Sequence, residues 1–376
     1  SPLFAWLGVS GVSFAMVFLV AFAVAAAQEA IRHPDRWAAY ASLVVLLPLV
    51  LVSVPSWTAL PGTSATGTLR VGAVQGATKA GYFDPPDNFG DNLLGQVEAT
   101  EPLYGEDLDV VVWPEGASDA DPLRYPWARE LWDEVVARTG APLVGGAITT
   151  RQLDKVDENG EPVPEYFNTM MLWEPGAGSA GPSAPAAREP ADYYDKKHPV
   201  PFGEYVPDRA FWRQFAPDLI DLIQREYTPG TTDAVFTLPG GVVVGNAICF
   251  DIVDDQLITE IVEQGAQVVF AETNNADFGR TDESVQQLAI ARIRAIETAR
   301  TVVNISTVGT SAIVLPDGAI QQQLPWYEPG VMVDDVPLMT TLTPAVLIGR
   351  QLEWLACILG LGGLLIAGWA TRRTPE

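Results

Sequence analysis

The chain is short of the groups that polar catalysis most often uses. It has two cysteines and two histidines in 376 residues. Cys357 lies in an uncharged, membrane-like stretch, so Cys249 has no ready disulfide partner. A lone thiol in that setting is either buried and inert or reactive. His33 falls in a short loop between two apolar runs, so a Cys/His dyad would have to use His198. Basic residues are also scarce. Lys and Arg number 22 against 47 Asp and Glu, a net charge of −25. That balance excludes the basic face that nucleic-acid binding requires.

What the chain has in quantity is apolar sequence. Residues 2–28 (PLFAWLGVSGVSFAMVFLVAFAVAAAQ), 37–57 (WAAYASLVVLLPLVLVSVPSW) and 354–371 (WLACILGLGGLLIAGWAT) carry no charge. Each approaches or exceeds the roughly 18–25 residues that cross a hydrocarbon core. Trp37 and Trp57 edge the second run, and Trp354 and Trp369 the third, as interfacial residues do. The first run lacks the basic start of a signal peptide and a second run follows at once. Arg32 and Arg36 between the first two runs, and Arg372 and Arg373 after the third, mark cytoplasmic sides. The expected organisation is membrane helices over 1–57, an extracytoplasmic body over 58–350, and a last membrane helix with a short cytoplasmic tail over 351–376. The chain starts at the edge of a span, so further membrane helices are expected before it.

The body alternates strand-like and helix-like segments. LRVGAVQ (69–75), LDVVVWPE (108–115), APLVGGAI (141–148), YFNTMMLW (166–173), GGVVVGNAICF (240–250) and AQVVFAET (266–273) read as strands. TVVNIST and TSAIVLPDG read as two more, joined around Gly309. Helices are predicted over 88–104, 125–139, 253–264 and 282–300, the last with Ala289, Ile293 and Ile296 on one face. This order predicts an α/β layered domain, with one sheet or two between the helices. Residues 174–190, rich in Pro, Gly, Ser and Ala, read as a surface loop.

Three segments carry chemistry. Glu115 follows VVVWP, Lys196 lies in YYDKKHPVPFGEYVP, and Cys249 ends VVVGNAIC. A carboxylate can take the thiol proton, and an ammonium favours the anion and the oxyanion formed on attack at a carbonyl. The backbone N–H of Phe250, next after the nucleophile, is a second oxyanion donor. Taken singly, Glu115 also fits a helix-cap neighbour, Lys196 a solvated surface lysine, and Cys249 a small core residue.

In order, WPEG, DKKHPVPFGEYVP, NAICFD, TNNADFG and RAIETAR resemble the nitrilase superfamily. With its flanking apolar runs, the chain is similar to the membrane-embedded apolipoprotein N-acyltransferase family, in the form found in actinobacteria. The resemblance implies an α-β-β-α sandwich flanked by transmembrane helices. It implies Glu115 as general base, Lys196 as the catalytic lysine and Cys249 as nucleophile. Glu204 matches a glutamate that supports the lysine. Asp251 stands where the family commonly has Glu, and Asp277 where many members have Trp. The implied partners are a phospholipid acyl donor, a diacylglyceryl apolipoprotein acceptor and the bilayer, with no cofactor, metal or nucleic acid. The implied place is the cell membrane, multi-pass, with the catalytic domain outside. Residues 205–223 (YVPDRAFWRQFAPDLIDLI) are expected to form a mobile apolar arm on the membrane surface, with Trp212 and Phe215 prominent. Two rivals share these motifs: an amidase using water as acceptor, and a scaffold without catalysis.

Overall fold

A computed structural model describes residues 1–57, 64–78, 81, 87–156, 162–175, 189–223 and 225–371. Residues 176–188 of the Pro/Gly-rich stretch, and Arg372 and Arg373, lie outside the described residues.

The chain divides into two compact units, Ser1–Ser64 with Ile296–Ala299 and Thr341–Glu376, and Ala65–Ala295 with Arg300–Thr340. The first holds helices α1 (Leu3–Arg32) and α2 (Trp37–Trp57), which match the first two apolar runs. It also holds a long C-terminal helix over Pro344–Thr371, whose start precedes the third run by ten residues. Gly8, at φ +70°, breaks the helical path of α1. Among the described residues, two helices are long and apolar enough to cross a membrane, Leu3–Arg32 and Pro344–Trp369.

The second unit is built on two six-stranded sheets. In the first, β1 (Gly67–Gln75), β2 (Val110–Val112) and β3 (Leu143–Val156) run parallel as neighbours. Then β4 (Pro162–Trp173) and β5 (Asp192–Asp195) continue antiparallel beyond β3. The second sheet has β6 (Val235–Thr237) antiparallel to β7 (Val243–Ile248), with β7, β8 (Val268–Thr273) and β9 (Thr301–Ser306) parallel. It ends in β10 (Ala312–Val314) and β11 (Ile320–Gln323), both antiparallel. The last strand, β12 (Gly330–Leu338), returns to the free edge of β1. β5, β6, β11 and β12 escape the sequence reading. Three of them have four or fewer residues, and β11 is largely exposed, so no apolar alternation marks them.

Side-chain alternation explains the layers. Val110 and Val112 enter a core shared with Val244, Val268, Val302 and Ile313 of the other sheet. Val111 and Trp113 point the opposite way, into a cluster with Leu93 of α3 (Asp91–Thr100) and Trp132 of α4 (Pro126–Thr139). Each such fully buried valine contributes roughly 1.5–3 kcal/mol of transfer free energy. α7 (Asp255–Glu263) buries Leu257, Ile258 and Ile261 in the core shared with the second sheet. Between α4 and α7 lie two one-turn helices, α5 (Arg209–Trp212) and α6 (Pro217–Ile220). The result is an α-β-β-α sandwich, which answers the one-sheet-or-two question.

The face of α8 (Glu283–Thr298) differs from the expected one. Leu288, Ala291 and Ala295 are buried, whereas Ala289 is exposed and Ile293 half-buried. Small alanines let the helix lie close to its neighbours, and Arg294 is held inward by the carbonyls of Ile252 and Val253. The inward stripe is therefore turned by about one residue from the isoleucine stripe, which brings Gln287 to its edge.

Candidate active site

The parallel strands β2, β7 and β8 deliver their C-terminal ends to one place, where open α/β sheets concentrate reactive groups. Glu115 stands three residues beyond β2. Its loop passes directly over β3, where a Cβ on Gly146 would come within 2.6 Å of Pro114 O and 2.9 Å of Glu115 Cα. Lys196 follows β5 immediately. Cys249 follows β7 as the first residue of a 3-10 turn, Cys249–Val253. Its φ of +52° is strained for a side chain with a Cβ. Such a strand-to-turn corner projects the side chain away from the sheet.

Glu204 reaches the site through a second strained corner, with Phe202 at φ +62°. The turn is closed by Phe202 N–H to Tyr205 O at 2.7 Å and Glu204 N–H to Val200 O at 2.7 Å. It turns Phe202 out, 48% exposed, while the Glu204 carboxylate folds back to accept from Val200 N–H at 2.6 Å.

Lys196 is 1% exposed, which rules out the solvated-lysine reading. Its Nζ lies 2.8 Å from Glu204 Oε2, 3.0 Å from Glu204 Oε1 and 3.8 Å from Glu115 Oε1. Asn168 of β4 donates to Glu115 Oε1 at 2.6 Å and to Glu204 Oε1 at 3.0 Å. The backbone N–H of Asn274, just past β8, donates to Glu115 Oε2 at 2.8 Å. Glu115 thus sits in a turn with both oxygens engaged, not beside a helix cap.

Burial governs the ionisation of these groups. It raises the Glu115 carboxyl above the usual range, against the opposing Lys196 ammonium, which makes Glu115 a stronger base. Burial also opposes the charge on Lys196, but Glu115, Cys249, Glu204 and Asp251 outweigh it and hold the ammonium on. Burial, reinforced by the negative charge of Glu115, pushes the Cys249 thiol up to about 12, with Lys196 and Gln287 acting the other way. The resting sulfur therefore carries its proton at neutral pH and needs a base beside it.

Asp251 is also buried, accepting from Tyr194 Oη at 2.9 Å and Ile248 N–H at 3.2 Å. Burial pushes its carboxyl up to about 7, against the Lys196 ammonium and those two donors. An acid with a raised folded pKa keeps a proton that the unfolded chain releases. Its stabilising contribution is complete below about pH 3.9, the ordinary aspartate value, and is lost as pH rises to about 7. Asp251→Asn is expected to flatten that fall. Urea unfolding of both proteins at pH 4 to 8 measures it, and parallel pH profiles would contradict it.

The other sequence candidates separate. Phe250 is half-exposed, and its N–H lies in the first turn of the 3-10 segment, where such groups lack intrahelical partners. Trp212, at the end of α5, meets Phe202 edge-on at 5.4 Å between ring centroids. Phe215 packs on Phe211 at 5.1 Å and is 70% exposed. Val206, Ile220 and Ile223 of the same segment form a small buried cluster of their own. His198 faces Asp254 at 3.9 Å on the surface, so it forms no dyad with Cys249 in this structure. Asp277 is exposed in a short 3-10 turn. Asn168, Asn274 and Gln287 were not anticipated. Asn168 had one visible signal, an amide inside the apolar strand YFNTMMLW.

The chain is 34% identical over 272 residues to an apolipoprotein N-acyltransferase of Mycolicibacterium smegmatis, covering 72% of this chain and 41% of that one. It is 26% identical to the apolipoprotein N-acyltransferase of Shewanella oneidensis, covering 90% of this chain and 62% of that one. The chain therefore spans about two-fifths to three-fifths of the length of these two relatives. An amidase from a Nesterenkonia species, of known crystal structure, superimposes with a TM-score of 0.49 at 18% identity, over 75% of this chain and 93% of that one. Residues 70–342 match the carbon-nitrogen hydrolase family, and the chain belongs to it.

Proposed function

We propose that the protein is an N-acyltransferase that moves an acyl chain from a phospholipid to the N-terminal amine of a diacylglyceryl apolipoprotein, through a thioester on Cys249. The observation that carries this reading is Lys196 Nζ, held buried between Glu204 at 2.8 Å and Glu115 at 3.8 Å at the strand ends that also carry Cys249. The resemblance to the mycobacterial apolipoprotein N-acyltransferase supports the choice of acceptor. The exposed aromatic rings of residues 211–215 and the two apolar helices support a lipid donor at a membrane.

In the first stage Glu115 takes the thiol proton as Cys249 Sγ bonds to the ester carbonyl carbon. The developing oxyanion is stabilised by the Lys196 ammonium and Phe250 N–H. As it collapses, the ester C–O bond breaks, and the lysophospholipid alkoxide leaves with the proton from Glu115. In the second stage the acceptor amine bonds to the thioester carbon and gives a proton to Glu115. The C–S bond breaks, and the thiolate recovers that proton. Splitting the transfer this way gives ping-pong kinetics. Glu204 anchors Lys196, so the ammonium is already in place when charge develops. We place the catalytic unit on the extracytoplasmic side of the cell membrane, following the arginines of the α1–α2 loop.

The test is incubation with a phospholipid and a diacylglyceryl peptide, read by mass. A gain of one acyl chain on the peptide is expected; free fatty acid alone would mean hydrolysis with water as acceptor. In the same assay Trp212→Asp with Phe215→Asp should cut transfer from vesicles at least about tenfold by weakening lipid contact. Full activity in that double variant would remove the aromatic cluster from the mechanism.

A further inference from the structure

The sulfur of Cys249 has one neighbour that the two-stage reaction leaves unexplained. Gln287 of α8 turns its Nε2 to Sγ at 3.7 Å. An amide side chain could offer a sulfur either its oxygen or its nitrogen, with opposite consequences. Oxygen would hold the thiol proton in place, whereas N–H would stabilise the anion.

A chain of hydrogen bonds behind Gln287 favours its nitrogen as the end presented. It begins at a backbone group that can only donate: Gly309 N–H gives to Ser306 Oγ at 3.0 Å. The Ser306 proton then goes to Asn275 Oδ1 at 2.8 Å, and the Thr273 hydroxyl donates to the same oxygen at 3.3 Å. With its oxygen occupied by donors, Asn275 presents its Nδ2 to Gln287 Oε1 at 2.6 Å. Gln287 is left with its N–H groups toward the sulfur. The close fit of this relay requires a residue without a side chain at position 309, where a Cβ would lie 2.3 Å from Asn275 Oδ1. Asn275 is 2% exposed and Ser306 fully buried, so water does not readily scramble the order.

We infer that Gln287 is a thiolate-stabilising donor to Cys249, and that Asn275 and Ser306 are positioning residues that set its polarity. The inference rests on the proposed role of Cys249 as nucleophile. The charged groups acting on the sulfur are Glu115 and Glu204, which disfavour the anion, and Lys196, which favours it. Gln287 adds a neutral donor on the side of Lys196. It lowers the cost of forming the thiolate without placing a second cation beside Glu115, whose basicity the first stage needs. The same N–H stabilises the leaving thiolate in the second stage.

The test reads thiol ionisation rather than acyl transfer. Iodoacetamide alkylation of Cys249, followed by peptide mass at pH 7 to 9, gives a rate proportional to the thiolate fraction. Gln287→Met keeps the length and loses the donor. Its alkylation rate should fall roughly tenfold at each pH. Gln287→His can accept from Asn275 at Nδ1 and donate from Nε2, so it should restore the rate to within about threefold of wild type. An unchanged rate in the Met variant, or equal losses in Met and His variants as packing damage would give, overturns the inference. Acyl transfer by wild type would stand in either case. Conversely, a Cys249 that titrates as described yet never takes an acyl group would sink the proposed function and leave the Gln287 contact intact.

Discussion

Cys249→Ala is expected to abolish acyl-enzyme formation and to lower transfer by about ten-thousandfold or more, the scale on which loss of a nucleophile acts. The geometry allows no substitute. The other described cysteine, Cys357, lies in the long C-terminal helix of the first unit and faces outward. The chain offers no other thiol. Glu115 and Lys196 would remain in place, but with no sulfur to deprotonate they have nothing to activate. The measurement uses a phospholipid with a labelled acyl chain and follows hydroxylamine-sensitive label on the protein. Wild-type labelling of the alanine variant would refute the assignment of the nucleophile. The folded state should tolerate the change, because Cys249 is only partly buried and its φ of +52° suits alanine no worse than cysteine.

Lys196→Met is expected to damage both stability and rate. The ammonium is the cation between Glu115 and Glu204; it and Glu115 lie out of water, and Glu204 is largely shielded. Removing one partner of a buried charge pair costs about 3–5 kcal/mol, because the charge left behind is neither solvated nor paired. The deficit should depend on pH, with a definite sign. In the wild type the folded pKa of Lys196 is raised, so its stabilising contribution is complete below its unfolded value of about 10.4 and is lost only as pH rises through the folded value. In the Met variant Glu115 loses the cation that opposes the effect of its burial. Its folded pKa rises further, and the variant is least destabilised below about pH 4.3, the ordinary glutamate value. Its deficit then grows toward neutral pH. Acyl-enzyme formation at pH 7 should fall by about a thousandfold, since the oxyanion loses its charged donor. Thermal unfolding at pH 5 and pH 8, together with labelling rates, measures both effects. A variant with the wild-type melting temperature at both pH values would show that Lys196 does not bind these carboxylates together.

Two of the groups legible from residue order have a common character. Glu115 and Cys249 each follow a segment whose apolar residues announce a strand, whereas Lys196 follows β5, which no apolar pattern announces, and stood out as a lysine within YYDKKHPVPFGEYVP. Glu204 came from the resemblance of DKKHPVPFGEYVP to the family's motif. The strands that stayed hidden are short or edge strands. β12 reads as a loop until it is seen to pair with β1, a partner more than 250 residues away, over nine register positions. Its stability comes from that ladder and from Met332 and Val336 packing into the core, neither of which leaves a local pattern.

The amides show the same limit in chemical form. Asn168 lies more than 50 residues from Glu115 and more than 35 from Glu204, yet one Nδ2 holds both carboxylates. Gln287 sits 38 residues from Cys249. An amide has no charge to mark it, and its effect depends on which end it presents. That orientation is set by a hydrogen-bond chain crossing β8, α8 and β9.

By itself, residue order determined the layered α/β class and the uncharged helices, and it singled out Glu115, Lys196 and Cys249 as candidates. These depend on composition and on short-range periodicity, which each segment carries alone. Tertiary structure decided that there are two sheets, that Lys196 is buried between two carboxylates, that Cys249 keeps its proton at rest, and which face of α8 looks inward. Those properties arise from burial and from fields between groups distant along the chain, and both exist only once the sheets have closed on one another.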